Sequence, residues 1–176
     1  MKKLKLEELG RMDVAAFKAA SKTPIIIVLD NIRSMNNIGS VFRSADAFAV
    51  EAIYLCGITA QPPHREIEKT ALGATDSVQW KYFENTLAAI ADLKAKAYHI
   101  CAIEQVANSV SLAQLTIDKD LKYALIFGNE VMGVDQQAIN QSDTCIEIPQ
   151  FGTKHSFNIA VTAGIVLWEC YRQLHK

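Results

Sequence analysis

Short apolar runs alternate along this chain with segments whose apolar residues recur at helical spacing. Ile25 to Asp30 (IIIVLD), just after Pro24, is a β-branched run bounded by polar residues, and it reads as a strand buried on both sides. Ala52 to Ile58, Tyr98 to Glu104, Lys122 to Phe127 and Thr144 to Pro149 have the same character, and Ser77 to Phe83 is a weaker extended piece. After the first run, DNIRSMNN reads as loop, and Ile38, Val41, Phe42, Ala45 and Phe48 then mark one face of a helix that Arg43 sits near the start of. Arg65 to Gly73, Thr86 to Lys96 and Val134 to Ser142 read as helices, Ser111 to Leu115 as a helical turn, and Ser156 to Leu174 as a long closing helix. Leu4, Leu6, Leu9, Val14 and Phe17 form an irregular pattern broken by Gly10, which predicts a short helical extension over residues 1–23 ahead of one domain over 24–176.

Apolar strands interleaved with helices predict an α/β fold, a mostly parallel sheet with helices on both faces. Function in such sheets lies in loops beyond the carboxyl ends of the strands. Three of those loops are unusual: Asp30 to Gly39, Gly128 to Gly133, and Pro149 to Asn158. Their convergence would make one pocket.

Composition narrows the options. A length of 176 residues suits a single core, and a net charge of -1 carries none of the positive excess that a polyanionic partner usually selects. Cys56, Cys101, Cys145 and Cys170 lie far apart in apolar segments, as buried free thiols in a reducing compartment do. His64, His99 and His175 stand at no metal-ligand spacing from His155, so no metal site is expected. The N-terminus lacks an apolar leader core and no run approaches a membrane span, so a cytoplasmic protein is expected.

Familiar nucleotide motifs are absent: GNEVMG is neither a dinucleotide fingerprint nor a P-loop. Gly128 and Gly133 bracket a bend that permits either positive φ or close approach of a ligand to bare backbone. Glu130, between them, suits either a capping acid or the acceptor of a ligand hydroxyl. Ser156 is placed to cap the last helix, and Asn158, one turn in, needs a tertiary partner for its amide. Arg43 is open to a bland reading as well, an ion pair with Asp46 along its own helix.

Taken together, NNIGSVFRSAD, ALIFGNEVMGVD and CIEIPQFGTKHSFNIAVTAGIVLWE resemble the three motifs of the SpoU/TrmH family, RNA ribose 2'-O-methyltransferases of the SPOUT class, in order and spacing from about Ile25 to Tyr171. The resemblance implies a C-terminal deep trefoil knot, an obligate homodimer through the knot region, S-adenosyl-L-methionine as donor with S-adenosyl-L-homocysteine as product, and tRNA or rRNA as substrate, with neither membrane nor DNA as partner. Matched position by position, Arg43, Asn37, Glu130, Ser156 and Asn158 take the family's catalytic positions, with Gly39 completing its asparagine-glycine pair. Phe127, Gly128, Asn129, Glu130, Gly133, Ile148, Pro149, Gly152, Ser156, Phe157 and Asn158 would hold the donor. Phe157 and Ala160 stand where leucine and serine are common in the family.

A guanidinium has no free acceptor, so Arg43 is read first as a clamp that aligns the target hydroxyl or phosphate rather than as a base. Lys2, Lys3, Lys5, Arg11, Lys18 and Lys22 make the extension locally basic, and Arg33, His64, Arg65, Lys154 and His155 are candidates for the mouth of the site. Two other readings stand beside the enzyme: a catalytically silent RNA-binding or ribosome-assembly protein on the same fold, and a small-molecule methyltransferase.

Overall fold

A computed structural model describes residues 1–175; Lys176, the final residue of the expected domain, lies outside them. Seven strands form one sheet: β1 Thr23–Asp30, β2 Val50–Cys56, β3 Trp80–Phe83, β4 Tyr98–Ile103, β5 Val110–Ser111, β6 Lys122–Phe127 and β7 Thr144–Glu147. Their order is β3-β2-β1-β6-β4-β7-β5, and each pairing is parallel. The helices are α1 Val14–Ala19, α2 Met35–Ala47, α3 Arg65–Ala71, α4 Ala74–Ser77, α5 Thr86–Ala95, α6 Gln136–Asn140 and α7 Ile159–Leu174, with 3-10 turns at Leu6–Leu9 and Leu112–Gln114.

The uninterrupted apolar character of β1 follows from burial on both sides. Ile25, Ile27 and Leu29 pack with Ile38, Val41 and Phe42 of α2 and Ala163, Val166 and Leu167 of α7. Ile26 and Val28 point the other way, into a second cluster with Ala89, Ile90 and Leu93 of α5. Each isoleucine, leucine, valine or phenylalanine among them contributes about 1.5–3 kcal/mol on leaving water. Phe17 of α1 is also buried and joins the first cluster, so the N-terminal segment is tied to the core.

Two of the helix starts that differ from the sequence reading bear on the site, and in both the capping side chain decides. Ser34 Oγ accepts the Asn37 N–H, so α2 starts at Met35, which puts Asn36, Asn37 and Gly39 inside the helix and Arg43 two turns in. The last helix starts at Ile159 and not at Ser156, because Asn158 Oδ1 accepts the N–H groups of Ala160 and Val161. Asn158, expected one turn in, is therefore the cap itself.

The path of the chain has an unusual feature. β1, β2 and β3 are laid down outward, β4 is placed two positions to the other side, and β6 then enters the slot between β1 and β4. β7 likewise enters between β4 and β5. Segments formed late in the chain thus thread between earlier ones. The connection after β5 then clasps the end of α7: Gln173 Oε1 accepts the Ile117 N–H at 2.9 Å and Gln173 Nε2 donates to the Leu115 carbonyl at 2.8 Å. Among the described residues no helix is long and apolar enough to cross a membrane.

Candidate active site

Strand order brings the unusual loops together. β1, β6, β4 and β7 are neighbours running in one direction, so the segments leaving their carboxyl ends emerge side by side. The first two are then stapled. Asn129 Nδ2 donates to the Asn31 carbonyl at 2.6 Å, while Asn129 Oδ1 accepts the N–H groups of Val131 and Met132. Asn129 and Gly133 also exchange backbone hydrogen bonds at 2.9 Å, which closes residues 129–133 into a tight turn. Gly133 has φ of 71°, and a Cβ on Gly128 would lie 2.1 Å from the Gly133 carbonyl carbon, so both glycines serve the turn itself.

The turn presents Glu130 to the start of α2. Its carboxylate accepts the Arg33 and Ser34 N–H groups, each at 3.0 Å, and the Asn37 side-chain amide at 3.2 Å. Asn37 Oδ1 in turn accepts from Asn158 Nδ2 at 3.1 Å, and Asn158 caps α7. One polar chain therefore joins all three loops. Partial burial pushes the Glu130 carboxyl up, but the N–H groups of Arg33, Ser34 and Glu130 itself and the Asn37 amide outweigh it and hold the group below the ordinary carboxylate value. Glu130 is thus an ionised acceptor with most of its lone pairs in use.

Beside this chain lies a cavity of about 710 Å³. Ile103, Phe127 and Ile146 from the strand ends give it an apolar wall, to which Val134, Ile139 of α6 and Ile148 add, and its rim is polar. Glu104, Glu130 and Glu147 line it, and its lining includes neither lysine nor arginine. Such a cavity favours a ligand with apolar surface and positive charge and disfavours a polyphosphate.

Of the residues expected around a donor, Phe127, Gly128, Asn129, Glu130, Gly133, Ile148, Ser156, Phe157 and Asn158 line the cavity. Pro149 and Gly152 do not, and a Cβ on Gly152 would meet open space. Asn37 reaches the site through Glu130 and Asn158. Arg43 lies elsewhere within the single chain: it is exposed on α2 and lines a separate shallow groove with Ser40, Ser44, Ala47, Phe48, Lys69 and Thr70. Its bland reading fails, because Asp46 accepts a hydrogen bond from Ser77 Oγ and no ion pair joins it to Arg43 among the described residues. Sequence reasoning missed the contribution of β4, whose end supplies Ile103, Glu104 and Gln105 to the wall. The available signal was an acid at the carboxyl end of a buried apolar strand, as Asp30 is on β1.

The cavity at the carboxyl edge of a parallel sheet, built across an inserted pair of strands, defines an α/β protein of the SPOUT class. The SpoU rRNA Methylase family model matches residues 24–168, and the chain belongs to that family. Among similar proteins is the mouse tRNA (guanosine(18)-2'-O)-methyltransferase TARBP1, 30% identical over 94% of this chain and 10% of its own length. The 23S rRNA (guanosine-2'-O-)-methyltransferase RlmB of Neisseria meningitidis is 29% identical over 87% of this chain and 60% of its own. A crystal structure of an AdoMet-bound rRNA methyltransferase from Sinorhizobium meliloti superposes with a TM-score of 0.80 at 29% identity, covering 89% of this chain and 59% of that one. The A. aeolicus TrmH/SpoU tRNA modifying enzyme gives 0.78 at 25% identity, covering 91% and 79%. This chain spans about three fifths of the length of several bacterial relatives it matches. The fold of this family carries a deep trefoil knot.

Proposed function

We propose that this chain transfers a methyl group from S-adenosyl-L-methionine to a ribose 2'-hydroxyl of structured RNA, tRNA or rRNA. The observation that carries the reading is the cavity: apolar on the strand side, acid-lined, free of lysine and arginine, and joined to the Glu130–Asn37–Asn158 chain. Its size and charge fit a nucleoside that bears a sulfonium and an ammonium group. The donor supplies an electrophilic methyl carbon there. Relatives named as guanosine 2'-O-methyltransferases support the same chemistry.

Each residue then has a role that its surroundings suggest. Gly128 and Gly133 keep the turn narrow enough for backbone to reach the ligand. Glu130, ionised and engaged with three donors, is a poor proton acceptor and serves as a positioning residue that fixes Asn37 and the first turn of α2. Ser156 and His155 line the rim, where an incoming ribose would lie. A 2'-hydroxyl is a weak nucleophile, so it must be aligned with the methyl group and its developing charge met by fixed donors. The Arg43 guanidinium, with no intramolecular partner among the described residues, is the group for that task.

Arg43 acts across a homodimer. Phe48, which shares its groove, packs at a tilt against Trp168 with 6.3 Å between ring centres, and Trp168 and Val161 lie exposed on α7. A second copy seated on this face meets the Arg43 groove, so the guanidinium serves a site shared by two subunits. The lysines of residues 1–23, Lys2, Lys3 and Lys5 foremost, add phosphate contacts outside the acid-lined cavity. Incubation with tritiated S-adenosylmethionine and either bulk tRNA and rRNA or a metabolite extract tests the reading. Alkali-resistant label in RNA is expected; label in the metabolites alone, or in neither fraction, overturns it.

A further inference from the structure

Glu104 follows the last residue of β4 and is held in the slot between β6 and β7. Its N–H donates to the Ile146 carbonyl at 3.0 Å. Its Oε2 accepts the Val134 N–H and its Oε1 the Gln105 N–H, both at 2.9 Å. Gly133 faces it so closely that a Cβ there would lie 2.2 Å from Oε2. The carboxylate is therefore fixed, half-buried and in the cavity wall, and it belongs to none of the motifs that supply Glu130, Asn37 and Asn158.

A carboxylate offers about four acceptor positions, so one N–H on each oxygen leaves about one position free on each. Two free acceptors side by side match a vicinal diol, whose hydroxyls donate in parallel. Ile103, Phe127 and Ile146, from the same strand ends, give an apolar wall beside them for a flat ring. An acid at a strand's carboxyl end taking ribose hydroxyls is a solution that parallel α/β proteins use for other nucleotides. The negative charge also works against a phosphate on either hydroxyl.

We propose that Glu104 accepts the ribose 2'- and 3'-hydroxyls of the donor's adenosine moiety and is the residue that selects a ribonucleoside there. The proposal rests on the donor reading above. The competing role is structural, since the same oxygens also fix the N–H groups of Val134 and Gln105.

Calorimetry separates the two. S-adenosylhomocysteine and its 2'-deoxy and 3'-deoxy analogues are titrated into the full chain, into Glu104→Ala and into the near-isosteric Glu104→Gln. A hydrogen bond to a charged acceptor corresponds to about tenfold or more in affinity, so the wild type is expected to prefer the diol by that factor over either analogue. In Glu104→Ala the preference falls to within about twofold, and in Glu104→Gln, with one acceptor oxygen kept, it is reduced for at least one analogue. Equal weakening of all three ligands, with the preference intact, overturns the assignment of Glu104 and leaves the donor reading standing. Should Glu104→Ala fail to fold, an unchanged preference in Glu104→Gln overturns it equally. A wild type that binds none of the three overturns the donor reading and this inference together.

Discussion

Glu130 is held by more donors than any other side chain facing the cavity rim, and its ionisation is coupled to the fold. Its carboxyl sits below the ordinary value of 4.5 when folded, so its ionised form stabilises the native state above that value. The contribution is lost as the pH falls through the lowered native value. Urea unfolding of the wild type and Glu130→Gln should therefore differ at pH 7 and draw together as the pH falls below the lowered native value. Arg43 makes the opposite case, a side chain with no intramolecular partner among the described residues and thus little part in stability. Arg43→Lys keeps the charge and removes the planar fork of donors. Unfolding is expected to be unaffected, while the single-turnover methylation rate falls by about a hundredfold, the scale of losing one aligned donor. A rate close to wild type would remove the fork argument. The thiols need no function: burial pushes Cys56 and Cys170 up to about 12 and raises Cys101 and Cys145, so native protein should react slowly with a thiol reagent at neutral pH.

Among the elements, α2 carries the most. Its first turn holds Asn37 by way of Glu130, its middle packs on α3, and its last turns carry Arg43 and Phe48 toward α7. Gly39 shows how tightly this is set. On helix propensity alone, replacing a mid-helix glycine by alanine gains about 1 kcal/mol. Here the added Cβ would lie 2.2 Å from both the Ile67 carbonyl oxygen and Thr70 Oγ1 of α3. The first of these is backbone and cannot swing aside, so overpacking of about 1–3 kcal/mol decides the sign. Gly39→Ala is expected to lower stability in urea by a net of up to about 2 kcal/mol. Any gain in stability would mean that α2 and α3 are free to part.

At the scale of the whole molecule, the sheet order puts four strand ends in one row, and the exposed face of α7 leaves the architecture open to a partner. Trp168 is 54% exposed although it stacks on Tyr171 and near Phe48. An aromatic in that position fits the middle of an isologous interface. On the proposed homodimer, Trp168→Glu should shift the sedimenting species from dimer to monomer with little change in secondary structure by circular dichroism. A wild type that sediments as a monomer would end the account of Arg43 acting between subunits.

How much of this the sequence contained differs from part to part. Strand runs such as IIIVLD and KYALIF had to form a parallel sheet, because residues apolar on both faces need cover on both. Asn158 stood out in the sequence because an asparagine there needs a partner for its amide, whereas Glu130 was equally open to a capping role and Asn37 came only with the family resemblance. The meeting itself was decided in three dimensions. Hydrogen bonds such as Asn158 to Asn37 span 121 positions, and no local period encodes them. The same holds for the order in which β6 and β7 enter the sheet, for Glu104 entering the wall from a fourth strand, and for Arg43 lying outside the cavity of its own chain. Periodicity records which face of an element is buried, a local property of side chains. Strand order, threading and the distance between loops are properties of the path, settled only when all elements compete for one core.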